Sequence, residues 1–219
     1  MSILYPFNWL LSFAASVLRL GAGSAPDRVL TDKPLIIYEF EGCPFCRIAR
    51  EAVSETGVTV LMRPCPKGGQ RFRPALKEIG GKAQFPYLID PNTDTQMYES
   101  GEIARYLRET YGKRGRPVVH WLGPIGQILS QFAVLMRLMG GTFTRKSLAP
   151  GKALELYGSE RSPGTRIVKE LLCEMEIEYL WQPAPLAGGG MPQLIDPNAN
   201  ETRTGAMNIR RYLKETYGT

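Results

Sequence analysis

The stretch Pro34–Arg47, PLIIYEFEGCPFCR, decides how this chain is read. Leu35, Ile36, Ile37 and Tyr38 form a short apolar run rich in β-branched residues, which predicts a buried strand over 35–40. Gly42 interrupts the run, and Cys43-Pro44-Phe45-Cys46 follows. Ile48, Ala49, Ala52 and Val53 then recur at helical spacing, predicting a helix over 44–56. A CxxC pair between a strand and a helix is the setting in which this motif carries redox chemistry.

Pro44 suits the first helical position, where its missing N–H is no loss. That leaves Cys43 at the N-cap, facing unpaired backbone N–H groups and the positive end of the helix dipole. Thiolates in such places have pKa values lowered to roughly 3.5–7.5. Cys46, three residues on, shares the helical face and lies within reach of a disulfide. Cys43 is therefore the candidate nucleophile and Cys46 the resolving thiol. Other readings stand beside this one. A zinc site needs four ligands, usually two close pairs, whereas Cys65 and Cys173 are single and His120 is the one histidine. The motif could also be a vestige on a redox fold with another task, or could bridge an iron–sulfur cluster between two copies through Cys43.

Composition is that of a globular protein, with 43% hydrophobic and 22% charged residues in 219. Four cysteines, two of them in CxxC, do not make a disulfide scaffold and point to a reducing compartment. The net charge of +6 is concentrated in one place. Residues 113–152 hold seven basic side chains (Lys113, Arg114, Arg116, Arg137, Arg145, Lys146, Lys152) and no acidic ones. Residues 34–112 are balanced, with ten of each sign, and a nucleic-acid partner is not expected.

Outward from the CxxC stretch, the pattern predicts a strand over 58–63, a PCPKGG loop and a short helix over 71–79. Strands at Pro86–Ile89 and Thr95–Tyr98 follow, joined by a turn at Pro91–Asp94, and then a helix over 101–111. The order βαβ-α-ββα is that of a thioredoxin fold. A second copy comes later. YGSERSPGTRIVKELLCE (157–174) aligns with residues 38–55 at an offset of 119, and LIDPN (194–198) with RYLKETYG (211–218) match 88–92 and 105–112 at an offset of 106. Between them PAPLAGGG replaces the loop and middle helix of the first copy. Such a repeat indicates a duplicated domain. In the second copy Ser162 and Thr165 stand for Cys43 and Cys46, so it is not expected to catalyse. Cys173 falls where the first copy has Ser54, as a small buried side chain.

Residues 2–18 carry no charge but are too short, and too interrupted by Pro6 and Asn8, for a membrane span. The missing Lys or Arg at the start argues against a signal peptide. From Trp9 the segment is two-faced and predicts an amphipathic helix. A second amphipathic helix is expected over 124–139, with Ile125, Ile128, Leu129, Phe132 and Leu135 on one face and cationic segments at both ends. The expected architecture is therefore α/β. Residues 1–33 form an N-terminal amphipathic helix and linker, 34–112 a domain with CPFC, 113–152 a basic amphipathic linker, and 153–219 a degenerate thioredoxin-like domain lacking the middle helix.

GCPFC, QFPYLIDPNT and YESGEIARYL resemble the N-terminal, thioredoxin-fold domain of glutathione S-transferases and the related glutaredoxins. The tandem arrangement is similar to two-domain glutaredoxin-like proteins of plants, algae and bacteria. The resemblance implies that Pro86 is a cis-proline facing the redox cysteines, with the backbone of Phe85 pairing with the cysteinyl part of glutathione. It implies that Glu99 and Ser100 hold the γ-glutamyl end, Ser100 also capping the last helix; capping alone is the alternative for this pair. Gly205 and Ala206 replace them in the second copy. It implies glutathione as cosubstrate, no metal, and a cytoplasmic or plastid-stromal location. A complete transferase has an all-helical second domain, so conjugation is not expected here.

Lys67, Arg71, Arg73 and Lys77 could favour an anionic thiol or form a solvated helix face. Cys65 could be a third redox thiol or a packed small residue. The leading expectation is a glutaredoxin-like thiol–disulfide oxidoreductase acting on glutathione or protein disulfides. Its rival is a non-catalytic accessory or assembly subunit. Residues 113–146 could then dock on an anionic membrane surface or a membrane-associated complex, placing the protein at a membrane periphery.

Overall fold

A computed structural model describes residues 29–112, 140–183 and 192–219, with Leu10 and Phe13 besides. The expected N-terminal helix apart from those two residues, the linker helix over 124–139 and most of the segment replacing the middle helix lie outside the described residues.

Strand β1 (Leu35–Glu39) leads through the CPFC turn into helix α1 (Pro44–Thr56). Gly57, at φ 73°, ends α1 in the left-handed conformation that a glycine adopts without steric cost and returns its N–H to Val53 O. Strand β2 (Val60–Pro64) then runs parallel to β1, pairing Leu35 with Val60 and Glu39 with Pro64. Helix α2 (Arg73–Gly80) begins two residues later than the apolar pattern suggests, because Pro74 suits the first helical turn. The hairpin β3 (Tyr87–Asp90) and β4 (Thr95–Met97) adds antiparallel to β1, and helix α3 (Ser100–Tyr111) closes the unit. The second half supplies β5 (Leu154–Tyr157), α4 (Pro163–Glu174), β6 (Tyr179–Gln182), β7 (Gln193–Asp196), β8 (Glu201–Thr204) and α5 (Ala206–Tyr217). Its pairings repeat those of the first: β5 parallel to β6, β5 antiparallel to β7, and β7 antiparallel to β8.

The eight strands form one sheet, in the order β4-β3-β1-β2-β6-β5-β7-β8. Its middle is an antiparallel pairing of β2 with β6, Val60 opposite Trp181 and Met62 opposite Tyr179. Sequence alone suggests two beads on a linker; here the halves share a sheet. In an isolated half, β2 would be an edge strand, a row of unpaired N–H and C=O groups open to association. Pairing with β6 covers it. One apolar core runs through both halves, from Ala49, Val53 and Leu107 to Val168, Leu171 and Leu213.

The repeated motifs owe their likeness to a polar lock. Asp90 Oδ2 accepts from Tyr106 Oη (2.7 Å) and Tyr111 Oη (2.5 Å), while Oδ1 accepts from Asn92 N and Nδ2, both at 2.9 Å. Asn92 in turn exchanges hydrogen bonds with the backbone of Lys33. Asp196, Asn198, Tyr212, Tyr217 and the backbone of Lys152 repeat this arrangement. LIDPN and RYLxETYG thus tie a strand end, a turn and a helix together around one buried carboxylate. The motif residues are structural, because a buried carboxylate must be supplied with donors.

Helix α1 is buried almost all round, including Arg47, Arg50 and Glu51. The reason is a cluster of charges between α1 and α4. Arg50 pairs with Glu39, with Glu41 (3.1 Å) and across the halves with Glu160 (3.3 Å). Lys169 pairs with Glu160 (2.7 Å) and across the halves with Glu41 (3.3 Å), and its ammonium stands 3.6 Å from the Trp181 ring centroid. At the repeat offset of 119, Glu41 corresponds to Glu160 and Arg50 to Lys169, so the cluster is symmetric about the β2–β6 pairing. The backbone follows suit: Glu160 N donates to Ser54 Oγ (3.0 Å), and Glu41 N to the sulfur of Cys173 (3.4 Å), the residue corresponding to Ser54.

Candidate functional site

The CPFC turn is built by its own residues. Cys43 N donates to Phe40 O at 3.0 Å, Arg47 N to Cys43 O at 3.1 Å, and Pro44 occupies the first turn of α1. Cys43 has extended backbone at the N-cap, and its sulfur accepts the N–H of Cys46 at 3.2 Å. Both cysteines are free thiols. Hydrogen bonding from Cys46 lowers the Cys43 thiol below its ordinary range despite burial, with help from Arg50. Burial, then the neighbouring Cys43, push Cys46 well above it. The two sulfurs are thereby set apart, one disposed to be a thiolate and the other to hold its proton.

The exposure differs from a bare helix tip. Cys43 keeps 4% of its surface, while the intervening Phe45 is 45% exposed. A charge cluster and residues of the second half lie around Glu41, close to the turn along the chain. Lys169 holds Glu41, and Cys173 receives the Glu41 N–H, two residues before Cys43. The Ser162 turn shows the same frame without the thiols: Ser162 Oγ accepts from Thr165 N at 3.3 Å.

The Phe85–Pro86 peptide is cis. The Phe85 ring meets Phe40 edge-on at 5.7 Å, bringing the proline loop against the end of the segment that leads into the CPFC turn. Arg73 lies over both rings, 4.7 Å from the Phe85 centroid and 5.8 Å from that of Phe40. Its Nε donates to Cys65 O (3.0 Å) and Pro66 O (2.7 Å), so it braces the loop after β2. Arg71 turns the other way. It donates to Met175 O (2.8 Å), Glu176 O (3.0 Å) and Ser147 O, clamping the first half to the second. Cys65 is fully buried among Tyr38, Leu76 and Tyr87, its thiol donates to Arg63 O, and burial pushes it far above the ordinary range. It packs as a small buried side chain.

Glu99 precedes α3 with φ 69° and ψ 112°, a conformation costing a non-glycine residue about 1–3 kcal/mol. Its Oε1 accepts from Gln84 Nε2 at 2.6 Å. The corresponding Gly205, at φ 87°, takes the same place without a Cβ. Ser100 is buried in the first turn, but it does not cap α3: the N-cap position belongs to Glu99, and neither provides a side-chain cap. The left-handed φ at residue 99 displaces the cap by one residue. A signal was available, since a glycine at the repeat position marks a backbone with positive φ.

Sequence reasoning passed over Glu39, Glu41 and Arg50, which stand behind the thiols. Burial raises the Glu39 carboxyl to about 7 against the pull of Arg50, with Glu41 adding to the rise. Burial also acts on Glu160, but Lys169 and Arg50 outweigh it and hold that carboxyl well below the usual range. Among the described residues no group of three or more His, Cys, Asp or Glu side chains is placed to hold a metal ion, and no helix is long and apolar enough to cross a membrane.

No curated protein and no solved structure matches the chain. Residues 37–116, from within β1 to just past α3, match the family described as glutathione S-transferase, N-terminal domain. The match supports a thioredoxin-like domain of the glutathione S-transferase N-terminal type in that segment.

Proposed function

We propose that residues 34–112 carry out glutaredoxin-like thiol–disulfide exchange with glutathione or a dithiol protein. The observation that carries this reading is the unequal pair at the start of α1. The Cys43 sulfur takes a backbone N–H and is lowered, whereas Cys46 is buried and raised. In the first step Cys43 thiolate attacks one sulfur of the partner disulfide, forming a mixed disulfide and expelling the other sulfur as a thiolate, which takes a proton from water. Cys46, or a glutathione thiolate, then attacks the mixed disulfide and releases the bound partner as a thiol. Two glutathione molecules return a Cys43–Cys46 disulfide to the dithiol, and glutathione disulfide leaves.

Phe85 and Pro86 would flank the incoming sulfur, and Glu99 with Ser100 would receive the γ-glutamyl end. The backbone conformation of Glu99 supports its part, because a glutamate is kept where Gly205 shows a glycine would fit better. Conjugation of electrophiles is not favoured, because the described chain after α3 is a second sheet-forming unit. A reducing compartment, cytoplasm or plastid stroma, suits four free thiols. The test is reductase activity on a glutathione mixed disulfide: it is expected in the wild type and absent in Cys43→Ser. Undiminished turnover in that variant would rule out the mechanism.

The near-burial of Cys43 favours a second reading, a docking or assembly subunit whose basic segment 113–146 meets an anionic membrane or membrane complex. Alkylation separates the two. A Cys43 that resists iodoacetamide near neutral pH in the folded protein supports docking, and one that is labelled promptly supports exchange.

A further inference from the structure

Strand β8 closes one end of the sheet, with β2, β6, β5 and β7 between it and β1, and no described strand covers its outer edge. Gly205 N donates to Pro192 O (2.8 Å), in register with the pairing of Arg203 with Leu194 and Thr202 with Ile195. Bonded and non-bonded pairs alternate along an antiparallel ladder, so Glu201 and Arg203 bond inward to β7. The N–H and C=O groups of Thr202 and Thr204 therefore point outward. Asn208 Nδ2 donates to Thr204 O (3.1 Å), which leaves Thr202 O and the two N–H groups along an exposed edge.

Beside that edge is an open recess of about 520 Å³, walled by residues 202–204 of β8 and by Asn208, Arg211 and Tyr212 of α5. Arg203 lies on the α5 side, its guanidinium 5.2 Å from the Tyr212 ring centroid. It also pairs with Glu201 at 3.0 Å, but each side chain keeps 41% of its surface, so the pair is weak and exchangeable. Arg211 is exposed and forms no ion pair among the described residues, although Glu215 stands one turn on at the rim.

The repeat supplies an internal comparison. At an offset of 106, Arg203 takes the place of Met97 and Asn208 that of Glu102, while Arg211 and Glu215 correspond to Arg105 and Glu109. In the first half Met97 packs against the core, and Glu102 pairs with Arg105. The second half has therefore gained one cation at the sheet edge and lost the carboxylate that neutralises the other. The half without the thiols keeps the frame here and changes its charge.

We propose that β8 and this recess bind an extended, acidic segment of a partner protein, taken up as a ninth strand. The site belongs to the second half and does not draw on the exchange reading. A segment residue opposite Arg203 accepts the Thr204 N–H and donates its own N–H to Thr202 O, the slanted pattern of a parallel pair. Alternate side chains of the segment fall on the α5 side of the sheet, where acidic ones meet Arg203 and Arg211. A small anion would reach the arginines and leave the strand edge bare. A second copy of this chain fits less well, because it would bring its own Arg203, Arg211 and Lys214 beside these.

The test adds the full chain to a fluorescein-labelled octapeptide of alternating glutamate and valine and follows fluorescence anisotropy. Saturable binding is expected, weakening as salt is raised. Arg203→Ala together with Arg211→Ala should weaken it about 10-fold, whereas Arg105→Ala, at the first-half counterpart of Arg211, should leave it unchanged. The same peptide N-methylated throughout keeps its charges but loses its backbone donors, and should not bind; nor should a peptide of alternating lysine and valine. These peptide controls leave the protein untouched, so they decide the matter even where the double variant does not fold. Absence of saturable binding would overturn the proposal, as would equal binding by the double variant, which would move the contact to the basic segment 113–152. Equal binding of the N-methylated peptide would overturn strand addition. A wild-type dimer in sedimentation that Arg203→Glu dissolves would give the edge to a second copy and overturn the proposal as well.

Discussion

Leu61 of β2 and Leu180 of β6 face each other at the centre of the sheet, and they are the same residue of the repeat, 119 positions apart. The antiparallel ladder about them therefore pairs Val60 with Trp181, the counterpart of Met62, and Met62 with Tyr179, the counterpart of Val60. This is the geometry of an isologous dimer interface, made within one chain. The charge cluster sits on the same pseudo-twofold axis.

The first prediction concerns that cluster. Lys169 is fully buried between Glu41 and Glu160, so Lys169→Met leaves buried carboxylates short of a cation and should cost about 3–5 kcal/mol. Changing Glu160→Gln in the same chain should recover part of the loss, because less charge is then unbalanced. Denaturant midpoints of the two single variants and the double variant measure the coupling, and simple additivity would contradict it.

A second prediction follows from the unequal thiols. In the folded wild type, iodoacetamide should modify Cys43 ahead of Cys46, Cys65 and Cys173, with a pH midpoint below the free-thiol value of about 8.5. Cys43→Ser should cost under about 1 kcal/mol, since serine is a favoured N-cap and Ser162 already closes the equivalent turn. Peptide mapping by mass spectrometry and thermal unfolding check the two halves of this statement.

A third concerns Glu99. Glu99→Gly removes a Cβ from a backbone at φ 69°, and should raise stability by about 1 kcal/mol after the entropy lost by glycine is counted. If Glu99 receives the γ-glutamyl end, the same variant raises KM for a glutathione mixed disulfide. A gain in Tm with no change in KM would leave Glu99 without a binding role.

A fourth concerns the polar lock. Burial pushes Asp90 up, but hydrogen bonds from Tyr111 and Tyr106 and from Asn92 outweigh it and leave the carboxyl below its ordinary range. An aspartate depressed in the folded state stabilises fully above its unfolded pKa of about 3.9, and that stabilisation is lost as pH falls through the lower folded value. Tyr111→Phe should therefore cost about 1.5–3 kcal/mol at neutral pH, with the deficit shrinking in acid. Urea titrations at neutral and acid pH would show it, and a deficit independent of pH would point to packing alone.

The chain's local structure was legible in its residues. Pro44 and Gly57 bound α1, a short apolar run marks β1, and the repeat of LIDPN and RYLxETYG announces two units of one kind. Each of these signals acts over a few residues, where sterics and a handful of hydrogen bonds decide the outcome. The cap at α3 was read one residue off, because the left-handed φ of Glu99 is written in no local pattern of the first half and shows only by comparison with Gly205. The tertiary structure alone joined β2 to β6 and brought Glu41, Glu160, Arg50 and Lys169 into one cluster. It also enclosed Cys43, which the sequence suggested would stand open. A charged residue on a helix reads as solvated until its partner is known. Those partners lie more than a hundred residues away, on the far side of a pseudo-twofold axis that exists only once the two halves have paired.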